Sequence, residues 1–235
     1  MTTTEQQVAQ GAHALHLSLS PAALAALVTH VDLVLAANKT MNLTTIPGDD
    51  FPGLHVLDSL AALPYLDAAP PGIFADLGSG AGYPGIPLAI ASGRPVALVE
   101  SVQKKASFLE AAIADLCLKA TVHPIRAEEL ALTSAGRFSA VVARALSALP
   151  SLVELAAPLL VADGLLICMK GAPAPEEIER GDRAAARCGL KRVSTEEVIV
   201  PFVDGQRTIV VYRKVGRASV RLPRRPGMAQ RQPLA

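Results

Sequence analysis

The stretch that decides the fold is Ile73-Phe74-Ala75-Asp76-Leu77-Gly78-Ser79-Gly80-Ala81-Gly82-Tyr83-Pro84-Gly85. A short apolar run at 73–77 ends abruptly in glycines at every second position. That spacing lets a backbone pass close beneath a nucleoside and turn sharply from a strand into a helix. Glu100 stands 22 residues after Gly78, at the end of the next apolar run. A carboxylate at that place can accept hydrogen bonds from both hydroxyls of a ribose.

Outward from this loop the chain alternates. Short apolar runs at 73–77, 96–100, 121–125, 138–143 and 164–169 are separated by helical stretches, the clearest at 103–118. Such alternation predicts parallel strands covered by helices on both faces. A further helix is expected over 175–187, with Glu176, Glu177 and Glu179 in its first turns and Gly189 after it. Two strands at 191–201 and 207–213 then read as a hairpin through Asp204-Gly205. Upstream, residues 14–37 carry a helical period with Ser20-Pro21 as a start signal, and His55–Leu66 reads as a second short helix. The expected organisation is an N-terminal helical extension (1–71), an α/β domain (72–213) and a basic C-terminal tail (214–235).

The glycine loop alone leaves two nucleoside cofactors open. Gly80-Ala81-Gly82-Tyr83-Pro84-Gly85 fits GxGxxG with Glu100 20 residues on, the dinucleotide fingerprint, and implies an NAD(P)-dependent oxidoreductase. That motif should open at the strand end, a slot taken here by Gly78, so the string reads GxGxG with Tyr83 where the third glycine would stand. Five parallel strands closed by an antiparallel hairpin resemble the seven-stranded, Rossmann-like sheet of methyltransferases that use S-adenosylmethionine (SAM), and most dinucleotide folds lack that ending. The expectation is therefore an α/β methyltransferase sheet binding SAM.

Composition narrows the class further. The 235 residues are 51% hydrophobic and 18% charged with mean hydropathy +0.36, ample for a core. His30 and Asp32 interrupt 22–37, and Glu154, Pro158 and Asp163 interrupt 147–169, so no membrane span is expected. The first residues have neither a basic nor an apolar export region, and a cytoplasmic location is expected. Cys117, Cys168 and Cys188 form no CxxC and read as packing residues, and no grouping has metal-ligand spacing, so no metal is expected. His123, on an expected strand, reads as a satisfied core histidine. Net charge is +1, yet seven cations and no acid lie from Arg213 onward, leaving residues 1–212 at −6. Such a tail reads either as a polyanion-binding arm or as a solubilising terminus.

The methyl acceptor follows by elimination. A (D/N)PP(F/Y) turn, used for exocyclic amines, is absent where Val142-Ala143-Arg144-Ala145-Leu146 stands after the fourth strand. No cysteine is placed as the thiolate nucleophile that carbon methylation needs, and Arg144 holds the position of the acid used in ribose methylation. An acceptor with its own lone pair, such as a purine ring nitrogen, needs alignment and no deprotonation.

Several strings then resemble one family: Asn38-Lys39-Thr40-Met41-Asn42-Leu43-Thr44, His55-Val56-Leu57-Asp58-Ser59, the glycine loop through Ile86-Pro87-Leu88, Arg144-Ala145, Lys170-Gly171 and Leu222-Pro223-Arg224-Arg225-Pro226-Gly227. The chain resembles the bacterial GidB (RsmG) methyltransferases over about residues 20–213 and into the tail. The resemblance implies methylation of N7 of a guanine (guanine-527) in 16S ribosomal RNA, on the RNA or the small subunit. It implies cofactor contacts at Gly78, Gly80, Gly82, Tyr83, Glu100, Ser101, Val102, Ala127, Glu128 and Arg144. It implies RNA contacts at Lys104, Arg126, Lys170 and Arg207, with Arg144 positioning the acceptor and no general base. Asp58 and His55 read as ties between the N-terminal helices and the sheet. The chain departs from the family at Ala37, where a Trp is usual, and at Leu54, where a basic residue is usual. A SAM-sensing RNA-binding module without turnover is the remaining alternative; aromatic content of 3% with no Trp argues against a general stacking platform.

Overall fold

Seven strands build the sheet: β1 (Phe74–Leu77), β2 (Val96–Val99), β3 (Ala120–His123), β4 (Phe138–Arg144), β5 (Leu160–Lys170), β6 (Leu190–Val198) and β7 (Arg207–Lys214). The computed structural model describes residues 3–235. Strand order is β3-β2-β1-β4-β5-β7-β6, with β7 antiparallel to both neighbours and the other adjacent pairs parallel. The α/β methyltransferase sheet expected from the sequence is thus the sheet observed.

Side chains alternate across it, interrupted by register shifts at Phe138/Ala140 and Arg192/Ser194. Phe74, Leu98, Val142, Ile167 and Val211 enter one core; Leu77, Ala97, Val141, Cys168 and Tyr212 enter the other. The first face is covered by α1 (Thr4–Ala14), α2 (Pro21–Met41), the short α3 (Asp58–Leu60) and α4 (Leu63–Asp67), α5 (Gly85–Ser92) and α6 (Gln103–Asp115). The second is covered by α7 (Ala127–Thr133), α8 (Leu149–Ala156), α9 (Pro175–Cys188) and the C-terminal segment with α10 (Met228–Arg231). Arg94 fastens the first junction, donating to the carbonyls of Leu66, Pro70 and Gly72 and to Ser139 Oγ.

The N-terminal region departs from the periodicity. A helix that the periodicity does not mark, α1, lies ahead of the 14–37 stretch, where Thr3 and Gln6 form a reciprocal capping box, and His16 turns left-handed at φ 58° beyond its end. Ser20 then caps α2, with Pro21 in its first turn, and that helix runs on to Met41 before Asn42 turns left-handed at φ 34°. Asn38 fixes the exit by bonding Thr44 through both its carbonyl and its amide, each at 3.0 Å. By length and composition α2 could cross a membrane, contrary to the expectation that no such window exists. In the fold its Leu27, His30, Val31 and Val34 are buried against the sheet layer.

The expected helix over 55–66 is broken. Pro52–Leu57 forms a wide π-type turn before α3 and α4, a form that recurs at functional sites. The β6–β7 hairpin closes through eight residues, Ile199–Gln206, which include Asp204-Gly205; β6 ends at Val198 rather than 201, and Phe202 in the loop also adopts positive φ, 62°. His123 is half-buried on edge strand β3, beside Thr121 Oγ1 at 3.2 Å, and is no core histidine. Cys168 and Cys188 are buried as expected, but Cys117 is exposed just beyond α6.

The basic tail folds back onto the second face. Ala229 and Leu234 are buried in its core, Ser151 Oγ donates to Ala229 O at 2.8 Å, and Arg224 forms a two-bond ion pair with the 3% exposed Glu154. A free arm and a loose terminus are both replaced by a packed segment.

Candidate active site

Two clefts open at the carboxyl edge of the parallel strands, where ligands bind in open α/β sheets, and they meet at Arg144 and Ala145. The first, of about 280 Å³, follows the glycine loop. Gly78 sits at φ +75°, and a Cβ there would lie 2.7 Å from Leu146 Cδ1. A Cβ on Gly80 would meet only Gly78 O at 3.9 Å, so the loop leaves open space over its backbone. The Glu100 carboxylate, 7% exposed, is fixed by Gly80 N–H on Oε2 at 3.0 Å and Val102 N–H on Oε1 at 2.8 Å. Each oxygen keeps further acceptor capacity. A Cβ-free cradle beside an anchored carboxylate fits the ribose of an adenosyl group. Ser101, Ala127 and Glu128 line the same cleft, whereas Val102 is exposed beyond it. Lys105 lines it too, while Lys104 and Arg126, expected against RNA, are exposed, Arg126 at the rim of this cleft.

Gly82 and Tyr83, expected against the cofactor, stand behind the cleft. A Cβ on Gly82 would lie 2.5 Å from Ile86 Cδ1 and 2.9 Å from His30 Nε2, so packing demands glycine there. His30 Nε2–H donates to Ala81 O at 2.9 Å, and burial lowers its pKa to about 4, opposed by that hydrogen bond. The α2 helix thereby holds the loop through a neutral imidazole. The Tyr83 ring stacks on His55 with centroids 4.3 Å apart and leans on His30 at 4.5 Å. Beneath the loop, Asp76 Oδ2 accepts from Gly85 N–H at 3.0 Å, and burial pushes this carboxyl up to about 7.

The second cleft, of about 370 Å³, is walled by Leu54, His55, Asp58, Met169, Lys170 and Arg207. Asp58 is its hub, accepting from Arg144 Nη1 at 2.7 Å and from Arg207 Nε at 2.9 Å. Arg144 also donates to Leu54 O and to His55 Nδ1, both at 3.0 Å, and its guanidinium lies 5.6 Å from the Tyr83 ring centre. Burial first, then the Arg144 and His30 charges, push His55 down to about 3. With Nδ1 accepting from Arg144, the proton sits on Nε2 and is donated to Thr44 Oγ1 at 3.0 Å. Lys170 pairs with Glu177 at 2.9 Å and donates to Ser147 O at 3.1 Å. Among the described residues no three His, Cys, Asp or Glu side chains cluster as a metal site.

Asp58 and His55 tie the N-terminal segment to the sheet, as expected, and they also face the cleft, a placement no local sequence pattern signals. The wide turn at Pro52–Leu57 aims Leu54 O, His55 and Asp58 together at one guanidinium.

The strand order, the glycine cradle and the anchored carboxylate define a SAM-dependent methyltransferase. The family model for rRNA small subunit methyltransferase G (GidB) matches residues 23–210. The chain belongs to that family. The ribosomal RNA small subunit methyltransferase G of Geobacillus thermodenitrificans is 38% identical over 225 residues, 93% of this chain and 94% of that one. The protein of that name from Pelotomaculum thermopropionicum is 35% identical over 241 residues, covering all of both chains. The sheet also resembles the Burkholderia thailandensis 1,6-didemethyltoxoflavin-N1-methyltransferase, with TM-score 0.55 over 85% of this chain and 92% of that chain at 14% identity, a likeness of fold.

Proposed function

We propose that the protein transfers the methyl group of SAM to N7 of guanine-527 in 16S ribosomal RNA, in the cytoplasm. The observation carrying this reading is the meeting of the two clefts at Arg144–Ala145: a nucleoside cradle on one side and a cation-walled recess on the other. When bound, SAM supplies a methyl group on a positively charged sulfonium. Gly78, Gly80 and Glu100 hold the ribose end, and Ser101, Ala127 and Glu128 border the base. Arg144, locked by Asp58, Leu54 O and His55, forms the rigid partition against which the acceptor base aligns. Guanine N7 carries no proton, so no residue is needed as a base, and neutral His55 serves to position Arg144. An unstacked guanine can enter the recess edge-on, which a base within a helix cannot. Lys104, Arg126, Lys170 and Arg207 supply charge for the RNA backbone, which positions without specifying sequence. The partner is the RNA or the small subunit, without metal or membrane.

The test is transfer of labelled methyl from SAM to 16S RNA and to small subunits from a strain lacking this protein. Cleavage chemistry selective for N7-methylguanine then locates the product. Label at another atom or nucleotide, or none on either substrate, rejects the assignment. A thermal shift with NAD(P) and none with SAM would restore the dehydrogenase alternative.

A further inference from the structure

The C-terminal segment does more than cover the second face. Gly227 N–H donates to Glu128 Oε1 at 2.8 Å, and Gly227, at φ +81°, starts α10. Three residues on, Gln230 lines the glycine-loop cleft together with Ile125, Ala127, Glu128 and Leu155. This placement is held from several sides. Arg224 pairs with Glu154 and donates to Gln232 O at 2.6 Å, Ala229 is 1% exposed, and Ser219 N–H donates to Arg187 O at 2.8 Å. Gln230 itself is exposed, although both residues around which its turn is anchored are held by protein partners. An exposed carboxamide on a fixed turn, facing a cleft, has its hydrogen-bonding groups free for a ligand.

We infer that the C-terminal segment forms part of the cofactor site and that Gln230 reads the adenine base. This rests on the glycine-loop cleft being the cofactor site. A carboxamide presents one donor group and one acceptor side by side. Adenine offers the complement, an exocyclic N–H beside a ring nitrogen, which is why amide side chains pair with adenine in two-bond fashion elsewhere. Ile125, Ala127 and Leu155 supply apolar surface for the faces of the base. The sequence marked this tail for charge, but the group that meets the ligand is one of its uncharged residues.

The test is calorimetric binding of S-adenosylhomocysteine and its S-inosyl analogue to the full chain. Hypoxanthine replaces the exocyclic amine with a carbonyl. Wild type should prefer the adenosyl ligand. In Gln230→Ala, the adenosyl Kd should rise about tenfold, the loss of one to two hydrogen bonds, and the preference over the inosyl ligand should narrow. Gln230→Glu keeps the shape and removes the donor, and should lose adenosyl affinity at least as far. Circular dichroism melts should match wild type, since the substituted side chain is exposed. Unchanged adenosyl affinity and unchanged preference in both variants overturn the inference. Glu100→Ala is the separate control. If it leaves adenosyl affinity intact, the cofactor assignment of the cleft fails; if it abolishes binding while the Gln230 variants do not, only the role of Gln230 fails.

Discussion

Asp58→Asn tests whether the partition between the clefts is held by charge. The carboxylate is nearly enclosed, its side chain 8% exposed, and it receives Arg144 at 2.7 Å and Arg207 at 2.9 Å, whose side chains are 15% and 26% exposed. A hydrogen bond to a charged group contributes about 1.5–3 kcal/mol when buried. Asparagine keeps one acceptor oxygen, which Arg144 retains as a neutral bond at a loss of about 1 kcal/mol. Its amide then opposes the Arg207 guanidinium, but that arginine can turn toward water, so the second loss is also discounted to about 1 kcal/mol. The sum of about 2 kcal/mol corresponds to a Tm lower by about 4–8 °C for a chain of this size. Methyl transfer to small subunits should fall more than about tenfold, because Arg144 no longer has a single orientation. S-adenosylhomocysteine affinity should change less than about twofold, since the glycine loop and Glu100 are untouched. Urea and thermal unfolding, calorimetry and labelled methyl transfer measure the three quantities. Unchanged Tm and unchanged transfer would refute the argument that these ion pairs hold the partition. Equal losses of cofactor affinity and transfer would place Asp58 in service of the cofactor cleft instead.

Gly78→Val should abolish S-adenosylhomocysteine binding in a folded protein, because a Cβ at φ +75° would meet Leu146 Cδ1 at 2.7 Å; calorimetry with intact affinity would count against it. Arg144→Ala should cut methyl transfer at least about tenfold, ~1.4 kcal/mol in the barrier, and wild-type turnover would reduce this residue to a bystander. His30 and His55 both titrate below the ordinary 6.5 in the fold, at about 4 and about 3. Their contribution to stability is therefore complete above pH 6.5 and is lost as pH falls toward those values. His30→Gln should show a shallower loss of Tm than wild type between pH 6.5 and 4, and parallel curves would contradict the assignment.

The sheet was legible because each strand's fate is local. Apolar runs, the glycine punctuation after Leu77 and the helical stretches between runs all report on short segments, and their order fixes the crossover pattern. The residues that line the glycine-loop cleft from strand ends were legible for the same reason: Gly78, Glu100, Ala127, Glu128 and Arg144 each follow a recognisable run. Gly82 and Tyr83 fall outside the lining of that cleft because the same motif spacing serves packing against His30 as well as ligand approach. The sequence shows Asp58 and His55 as ties only, since nothing local reveals that a wide turn points them at a guanidinium 86 and 89 residues away. The tail misled through composition. Its charge was visible, but its buried Ala229 and Leu234, and the acid Glu154 that takes up Arg224, are separated from one another in sequence.

The packed C-terminal segment also sets when the protein can become complete. Chains emerge from the ribosome N-terminus first, and α2 can therefore collapse onto the glycine loop while later strands are still being made. The central strand β5 lacks its partner β7, and the second core lacks Ala229 and Leu234, until those residues have been made and have left the ribosome. Synthesis and maturation are thus separated in time: a nascent chain has an open flank until residues 207–234 emerge, and the sheet and the second core close only then.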